Sequence, residues 1–504
     1  MYRNKGTITV FLSLISMLFL SLFCTMAESV RVQAARFQAA AAFDMGLFSI
    51  FGEYDRVLLE EYDLWFLDGS SEEQKIREVL ETKLEKYIQP NINPRYNLAA
   101  GRSWDVFPTE LDRCTVDKYA LATDHGGQVF YSQAVENQKE LFVGEAASAL
   151  KKNIKQMEEG HQKGEEYQNE EQKADEEYQR AQAAQMEEKK RQESEKENAE
   201  KQEESDTDIK ETEAVQAKVE NPLDQIKKIK SMGILGLVLK DGTVVSDKTI
   251  ERKDLPSERN LQKGSLLVDE ISADPVSEAI FLNYLQKHFQ CAVDEGGKHQ
   301  KGSKEHSLSY ELEYIIGGQK SDRENLKKTV NRILLIREGM NYATLAKSAK
   351  MRGEAMALAA AITGAAALPE FAGALQKLLM LAWAYGESLL DVRTLLAKGK
   401  VPMLKAETEW KLPLEKLGML AEVLKECDAG GGNGQSYEDY LSGLLILGKT
   451  QQRNLRVLDL IECNRRMEKG GETFRVDALV AQAEASADFE LAPVFLRVPA
   501  VWMH

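Results

Sequence analysis

Residues that carry recognisable chemistry are scarce in this chain. It has 6 histidines and 5 cysteines among 504 residues. So few histidines leave little from which to build a triad, and no G-x-S-x-G turn presents a serine nucleophile. His288, Cys291, His299 and His306 lie close in sequence, but no spacing among them is a paired-ligand motif such as C-x2-C or H-E-x-x-H. The glycine run Gly430–Gly434 lacks the Lys-Ser/Thr of a phosphate-binding loop and reads as a helix–helix linker. Asp124-His125 stands in a turn, where a lone histidine is far more often structural than catalytic. A basic excess is also missing. The 65 Lys and Arg face 81 Asp and Glu, a formal net charge of −16. That balance argues against nucleic acid as a partner, because phosphate neutralisation needs clustered cations. No catalytic, cofactor-binding or metal-ligating residue is nominated, and a non-enzymatic protein without a cofactor is expected.

Cysteine scarcity limits cross-linking too. Cys24 lies in an apolar stretch. Cys114, Cys291, Cys427 and Cys463 allow three disulfide pairings, with scattered free thiols as the alternative.

What the chain does have is a long uncharged run near its start. Arg3 and Lys5 precede the 20 residues from Thr7 to Met26, none of them charged. At ~1.5 Å per helical residue the run measures roughly 30 Å, the hydrocarbon thickness of a bilayer. The two cations favour a cytoplasmic start, which places everything after Met26 outside. Release after Ala27, at Thr25-Met26-Ala27, is an alternative. Lipoprotein processing at Cys24 is disfavoured by the bulk of Phe23. A third reading takes Lys5-Gly6 as the end of a prepilin-type leader, cut to leave Thr7 first. Phe11 then stands where such chains carry a glutamate. A retained anchor, cut at Gly6 or uncut, is the preferred reading.

No Pro or Gly interrupts residues 7–45, and Val30, Ala34, Phe37, Ala41, Met45 and Phe48 recur at helical spacing. One long helix, half in lipid and half outside, is expected, the shape of a pilin-like spine. Glu28, just outside the lipid, is the candidate assembly contact. It can pair with a neighbour's terminal amine or with Arg31.

Residues 151–220 are different material, with 13 Lys and Arg, 22 Asp and Glu, and six residues from Val, Ile, Leu, Met, Phe and Trp. Glu165-Glu166-Tyr167-Gln168 recurs as Glu176-Glu177-Tyr178-Gln179, an 11-residue step that suits a helix. Without an apolar seam, this insert reads as a solvated helix fraying into disorder near Glu203–Thr212. Elsewhere, residues 109–123 have β character, with Val116, Tyr119 and Leu121 as core positions. Residues 72–87, 275–290, 370–398 and 436–468 read as helices. Tyr310–Ile316 reads as a short strand ending at Gly317-Gly318. Ser321 and Glu324 make a capping box for the helix after them. The alternation from Phe474 to Leu491 gives a terminal β-hairpin.

The fold class is therefore α+β, mostly helical. Residues 1–26 are a membrane anchor, 27–150 a spine helix and α+β region, and 151–220 the charged insert. Residues 221–504 are a mainly helical extracytoplasmic domain with short strands and the hairpin. The stretch from Asn4 to Gly69 resembles the opening of TadE/TadG-like proteins of Flp-type pilus assembly. Residues 221–264, 311–345 and 381–412 extend a likeness of the whole chain to an uncharacterised family of anchored exported proteins of Gram-positive bacteria. The resemblance implies a membrane-anchored surface protein working in pilus or envelope assembly. Its partners would be the membrane, other pilus or envelope proteins, and copies of itself. An extracytoplasmic ligand-binding or sensor module is the alternative, ahead of a cell-envelope hydrolase.

Overall fold

The computed structural model describes residues 5–71, 75–92, 109–139, 144–200, 221–268, 271–293, 305–365, 371–426, 432–491 and 494–502. The chain forms two compact units, each built from separate segments. Unit 1 takes Met1–Glu140, Arg252–Ala273 and Asn454–His504, and unit 2 takes Leu141–Glu251 and Asp274–Arg453.

In unit 1, α1 runs without a break from Lys5 to Phe51. Its Thr7–Phe51 stretch is long and apolar enough to cross a membrane. The helix then packs by one face, through Ala35, Ala39, Ala42, Phe43, Leu47 and Ile50. That face meets Leu80, Leu84 and Ile88 of α3 (Ile76–Ile92) in the same apolar core. Gly46 permits the approach, since a Cβ there would lie 2.6 Å from the Ile88 side chain. Small residues on α1 thus trade side-chain bulk for close backbone contact. α3 extends past the expected end and carries Pro90 in its last turns. Between them, Asp55 caps α2 (Arg56–Tyr62) by accepting from the amides of Val57 and Leu58 at 2.9 and 3.1 Å.

The core is closed by an antiparallel sheet. Its strands are β1 (Leu67–Asp68), β2 (Glu110–Leu121), β3 (Leu479–Leu491) and β4 (Val494–Trp502). β3 is central, paired with β2 and also with β1 and β4. A terminal hairpin is present, in register from Ala483↔Trp502 to Leu491↔Val494, but it lies further along than expected: Val480, Phe489 and Leu491 share its first strand. Val476 and Ala478 fall in a 3-10 turn before β3 rather than in the strand. Val116 and Leu121 are buried and Tyr119 packs at the core's edge. After β2 the chain turns through His125, Gly126 and Gly127, all with positive φ, into α4 (Asp124–Gln138). The side chain of Asn454, in α15 (Thr450–Met467), lies 3.0 Å from where a Gly127 Cβ would stand.

Unit 2 is helical. Its helices include α5 (Gly144–Glu200), α6 (Pro222–Lys230), α7 (Ile234–Val238), α8 (Pro275–His288), α9 (Glu311–Gly317), α10 (Asp322–Lys347), α11 (Ala349–Ala365), α12 (Ala372–Leu396), α13 (Leu420–Glu426) and α14 (Tyr437–Leu447). Ser321 caps α10 by accepting from the Glu324 amide at 3.3 Å, and Leu326, Val330, Ile333 and Leu334 are buried as expected. Two expectations are corrected. Tyr310–Ile316 is not a strand: α9 occupies it, closed by Gly318 at φ 61°. A short apolar run has no period long enough to separate the two states, and the left-handed glycine supplies a helix C-cap.

The second correction concerns the charged segment, whose first half is no solvated insert. Met157, Gly160, Gly164, Tyr167 and Ala174 of α5 are buried at near-heptad spacing, and α5 packs on α10, α12 and α14. A seam exists, in which glycine and alanine accompany Met157 and Tyr167. A Cβ on Gly160 would lie 2.7 Å from Ile336, and one on Gly339 2.2 Å from the Lys163 carbonyl carbon. The partner helix supplies the apolar bulk. The stretch Glu203–Thr212 and Cys427 lie outside the described residues.

Candidate functional site

Three places in the fold concentrate surface or charge. The first is the outward face of α1. Val30, Phe37, Met45 and Phe48 are 67, 78, 46 and 76% exposed. This is the stripe picked out from sequence, and it is not the face that packs. The packed face lies roughly opposite, where small residues fit against α3. Toward the N-terminal end of this face Glu28 is exposed and pairs with Arg31 at 2.8 Å, one of its two expected partners. Lys5-Gly6-Thr7 forms the first turn of α1.

The second is a buried charge network in unit 2. Arg337, Glu387 and Asp391 are wholly buried and Lys405 nearly so. Arg337 donates through Nε and Nη2 to Asp391 Oδ2 at 3.0 and 2.8 Å, and through Nη1 to the carbonyls of Pro402 and Met403, both at 2.9 Å. Asn341 donates to the Ser388 hydroxyl and to Asp391, both at 2.9 Å. The Lys405 ammonium bridges Glu387 and Asp391. Glu387 also accepts from the amides of Lys411 and Leu412 at 3.0 and 2.8 Å. Burial opposes the Asp391 charge, but Arg337 and Lys405 hold its carboxyl below the ordinary range. Two cations balance two anions, and the network ties α10 and α12 to the 402–412 segment. Such a cluster specifies one packing more than it adds stability.

The third is a cleft of about 340 Å³ between α5, α6 and α12. Leu223, Ile226, Leu378 and Leu381 form its apolar floor, and Glu171, Lys227 and Lys230 stand at its rim. Lys230 pairs with Glu171 and sits 4.7 Å from the Tyr385 ring centre. Nearby, Glu338 is only 8% exposed, and burial pushes its carboxyl up to about 8 against the pull of Lys230. Sequence reasoning missed both clusters. Their members are scattered from Glu171 to Lys405, and no local spacing marks them.

The other residues weighed from sequence have structural work. Asp124 accepts from the Leu121 amide at 2.7 Å and the Gly264 amide at 2.9 Å, while His125 is exposed. His306 Nδ1 meets Glu311 at 2.8 Å, and the Cys291 thiol donates to the Val293 carbonyl at 3.1 Å. His299 lies outside the described residues, among which no group of His, Cys, Asp and Glu is placed to hold a metal ion. Cys114 and Cys463 are free thiols, both pushed up to about 12 by burial. They are poor nucleophiles at neutral pH. In unit 1, Glu462 and Asp477 are buried and share Arg259, at 2.6 and 2.5 Å. That pairing pins the 252–273 segment to the 454–504 segment.

No curated protein and no solved structure matches the chain significantly. One family model, described as "Family of unknown function (DUF5702)", matches residues 212–491, and the chain belongs to that family.

Proposed function

We propose that this is a membrane-anchored surface protein with a structural or assembly role, in a Flp/Tad-type pilus or related envelope machinery, and without enzymatic activity. One observation carries the reading. α1 takes a charge-free, bilayer-length run straight into a folded unit with no hinge. A cleavable leader needs no such continuity, whereas a load-bearing anchor does. Arg3 and Lys5 favour the cytoplasmic side for the N-terminus, which sets the chain after Met26 outside the membrane. The likeness of residues 4–69 to TadE/TadG-like openings points to pilus assembly in particular. The most charged cluster of unit 2 supports a scaffold as well, because its groups face one another in the interior. An extracytoplasmic sensor is the second reading, favoured by the apolar cleft between α5, α6 and α12.

Deleting the gene tests the proposal. Surface appendages or envelope complexes should be lost or shortened, and the wild-type chain should remain in carbonate-washed membranes. Normal appendages and envelope complexes in the deletion strain would contradict an assembly role.

A further inference from the structure

We propose that the outward stripe of α1 pairs, in parallel, with the same stripe of a second copy of this chain. The inference rests on the membrane-anchored reading above. It begins from a face that folding leaves unused. Phe37 and Phe48 are about three-quarters exposed, and Val30 two-thirds exposed, on the side of α1 away from Ala39 and Leu47. Large apolar groups left in water in a line invite a partner.

Lipid does not fit this stretch. Val30 lies beyond Met26, the end of the uncharged run, and Val30 to Phe48 rises about 27 Å along the helix. Over that length α1 also carries Arg31, Arg36 and Asp44, and its other face is packed on protein. Charges at that density belong in water.

Area and shape favour a copy of itself. An aromatic side chain offers about 150–250 Å² of surface, so the stripe presents on the order of 500 Å². A symmetric pair then buries on the order of 1,000 Å², the lower bound for a specific interface, before any lipid-embedded contact is added. Along the stripe, Val30, Ala34, Phe37 and Ala41 alternate bulky and small before the bulky pair Met45 and Phe48. Phe rings on one helix can thus seat over alanines on the other. None of these positions is charged, and the one acid between Val30 and Phe48, Asp44, stands exposed at the edge of the stripe, where water screens it from its counterpart. A shared anchor forces the parallel direction, and confinement to one membrane raises the effective concentration of each copy for the other.

Disulfide trapping in native membranes tests this on the full-length chain. In a Cys24→Ser background, cysteines are placed one at a time on the stripe (Ala34→Cys, Ala41→Cys) and off it (Arg36→Cys), and oxidised with copper phenanthroline. Pairing predicts a dimer band for A34C and A41C and none for R36C. Adding Phe37→Asp and Phe48→Asp to A41C should abolish its band, with membrane retention unchanged. Monomer at every position, or equal bands on and off the stripe, overturns the pairing. An A41C adduct to a different protein, without the dimer, also overturns self-pairing but leaves the assembly role standing. Recovery of the chain from the medium, starting after Ala27, removes the anchored reading itself.

Discussion

Glu313 and Glu338 are carboxyls taken out of water without a cation bonded to them. Glu313 accepts from the Ala292 amide at 2.9 Å and the Tyr437 hydroxyl at 2.8 Å, while its other oxygen has no hydrogen-bond partner among the described residues, and burial pushes it up to about 7. Glu338 is raised by burial to about 8. Both folded values lie above the ordinary 4.5. The folded chain therefore holds protons that the unfolded chain has released. Their stabilising contribution is complete below the ordinary value and is lost as pH rises through 7 and then 8. The unfolding free energy of the detergent-solubilised chain should fall between roughly pH 5 and 8, by at most about 1.4 kcal/mol per pH unit for each group, and the melting temperature should fall with it. Glu313→Gln keeps the accepting oxygen and should flatten the lower part of that slope; an unchanged slope would exclude Glu313 as its source. Arg337 behaves differently, because removing it strands Asp391 beside a single cation. Arg337→Met should destabilise by about 3–5 kcal/mol in chemical denaturation, and a loss below about 1 kcal/mol would show that the network contributes little. At this scale the sequence is legible only where chemistry is local. The Ser321 cap was visible because a serine three residues before a glutamate implies it. Arg337 and Asp391 are 54 residues apart and meet only once α10 and α12 have packed.

The α5–α10 contact of unit 2 is closed by glycines beside the Tyr167–Tyr342 ring pair. A Cβ on Gly164 would lie 2.8 Å from the Leu335 carbonyl oxygen, where backbone cannot yield. Gly164→Ala or Gly339→Ala should therefore cost about 1–3 kcal/mol through overpacking. Gly353→Ala in α11 has nothing within 4 Å of its new methyl. It should stabilise by up to about 1 kcal/mol through helix propensity alone. Thermal melts of the three variants check the contrast, and equal effects would deny the close approach. Elements with long, consistent patterns were readable in advance: α8, α10, α12, β2 and the β3–β4 hairpin. The failures share a cause. Hydrophobic periodicity weights large side chains, so it took the Phe-bearing stripe of α1 as its defining face and saw no seam in α5. In both helices the packed face mixes a few large residues, such as Phe43 and Leu47 or Met157 and Tyr167, with small ones whose value is proximity rather than apolar area. The short run at α9 failed for lack of length.

For the molecule as a whole, the account turns on α1 serving as both anchor and structural member. Its N-terminal half is a bilayer-length run, its C-terminal half is built into the core of unit 1, and its remaining face stays open. A first helix long and apolar enough to cross a membrane was legible from composition alone, because twenty uncharged residues run in a row. Which half of the outer helix folds inward was not, since that is decided by α3 and the sheet, whose strands come from both ends of the chain. The most direct test is the N-terminus of the mature protein, read by mass spectrometry on isolated membranes. The account predicts a membrane-bound chain that begins at Met1 or at Thr7, with residues 7–26 intact. A chain that begins at Glu28 and is recovered from the medium would contradict it.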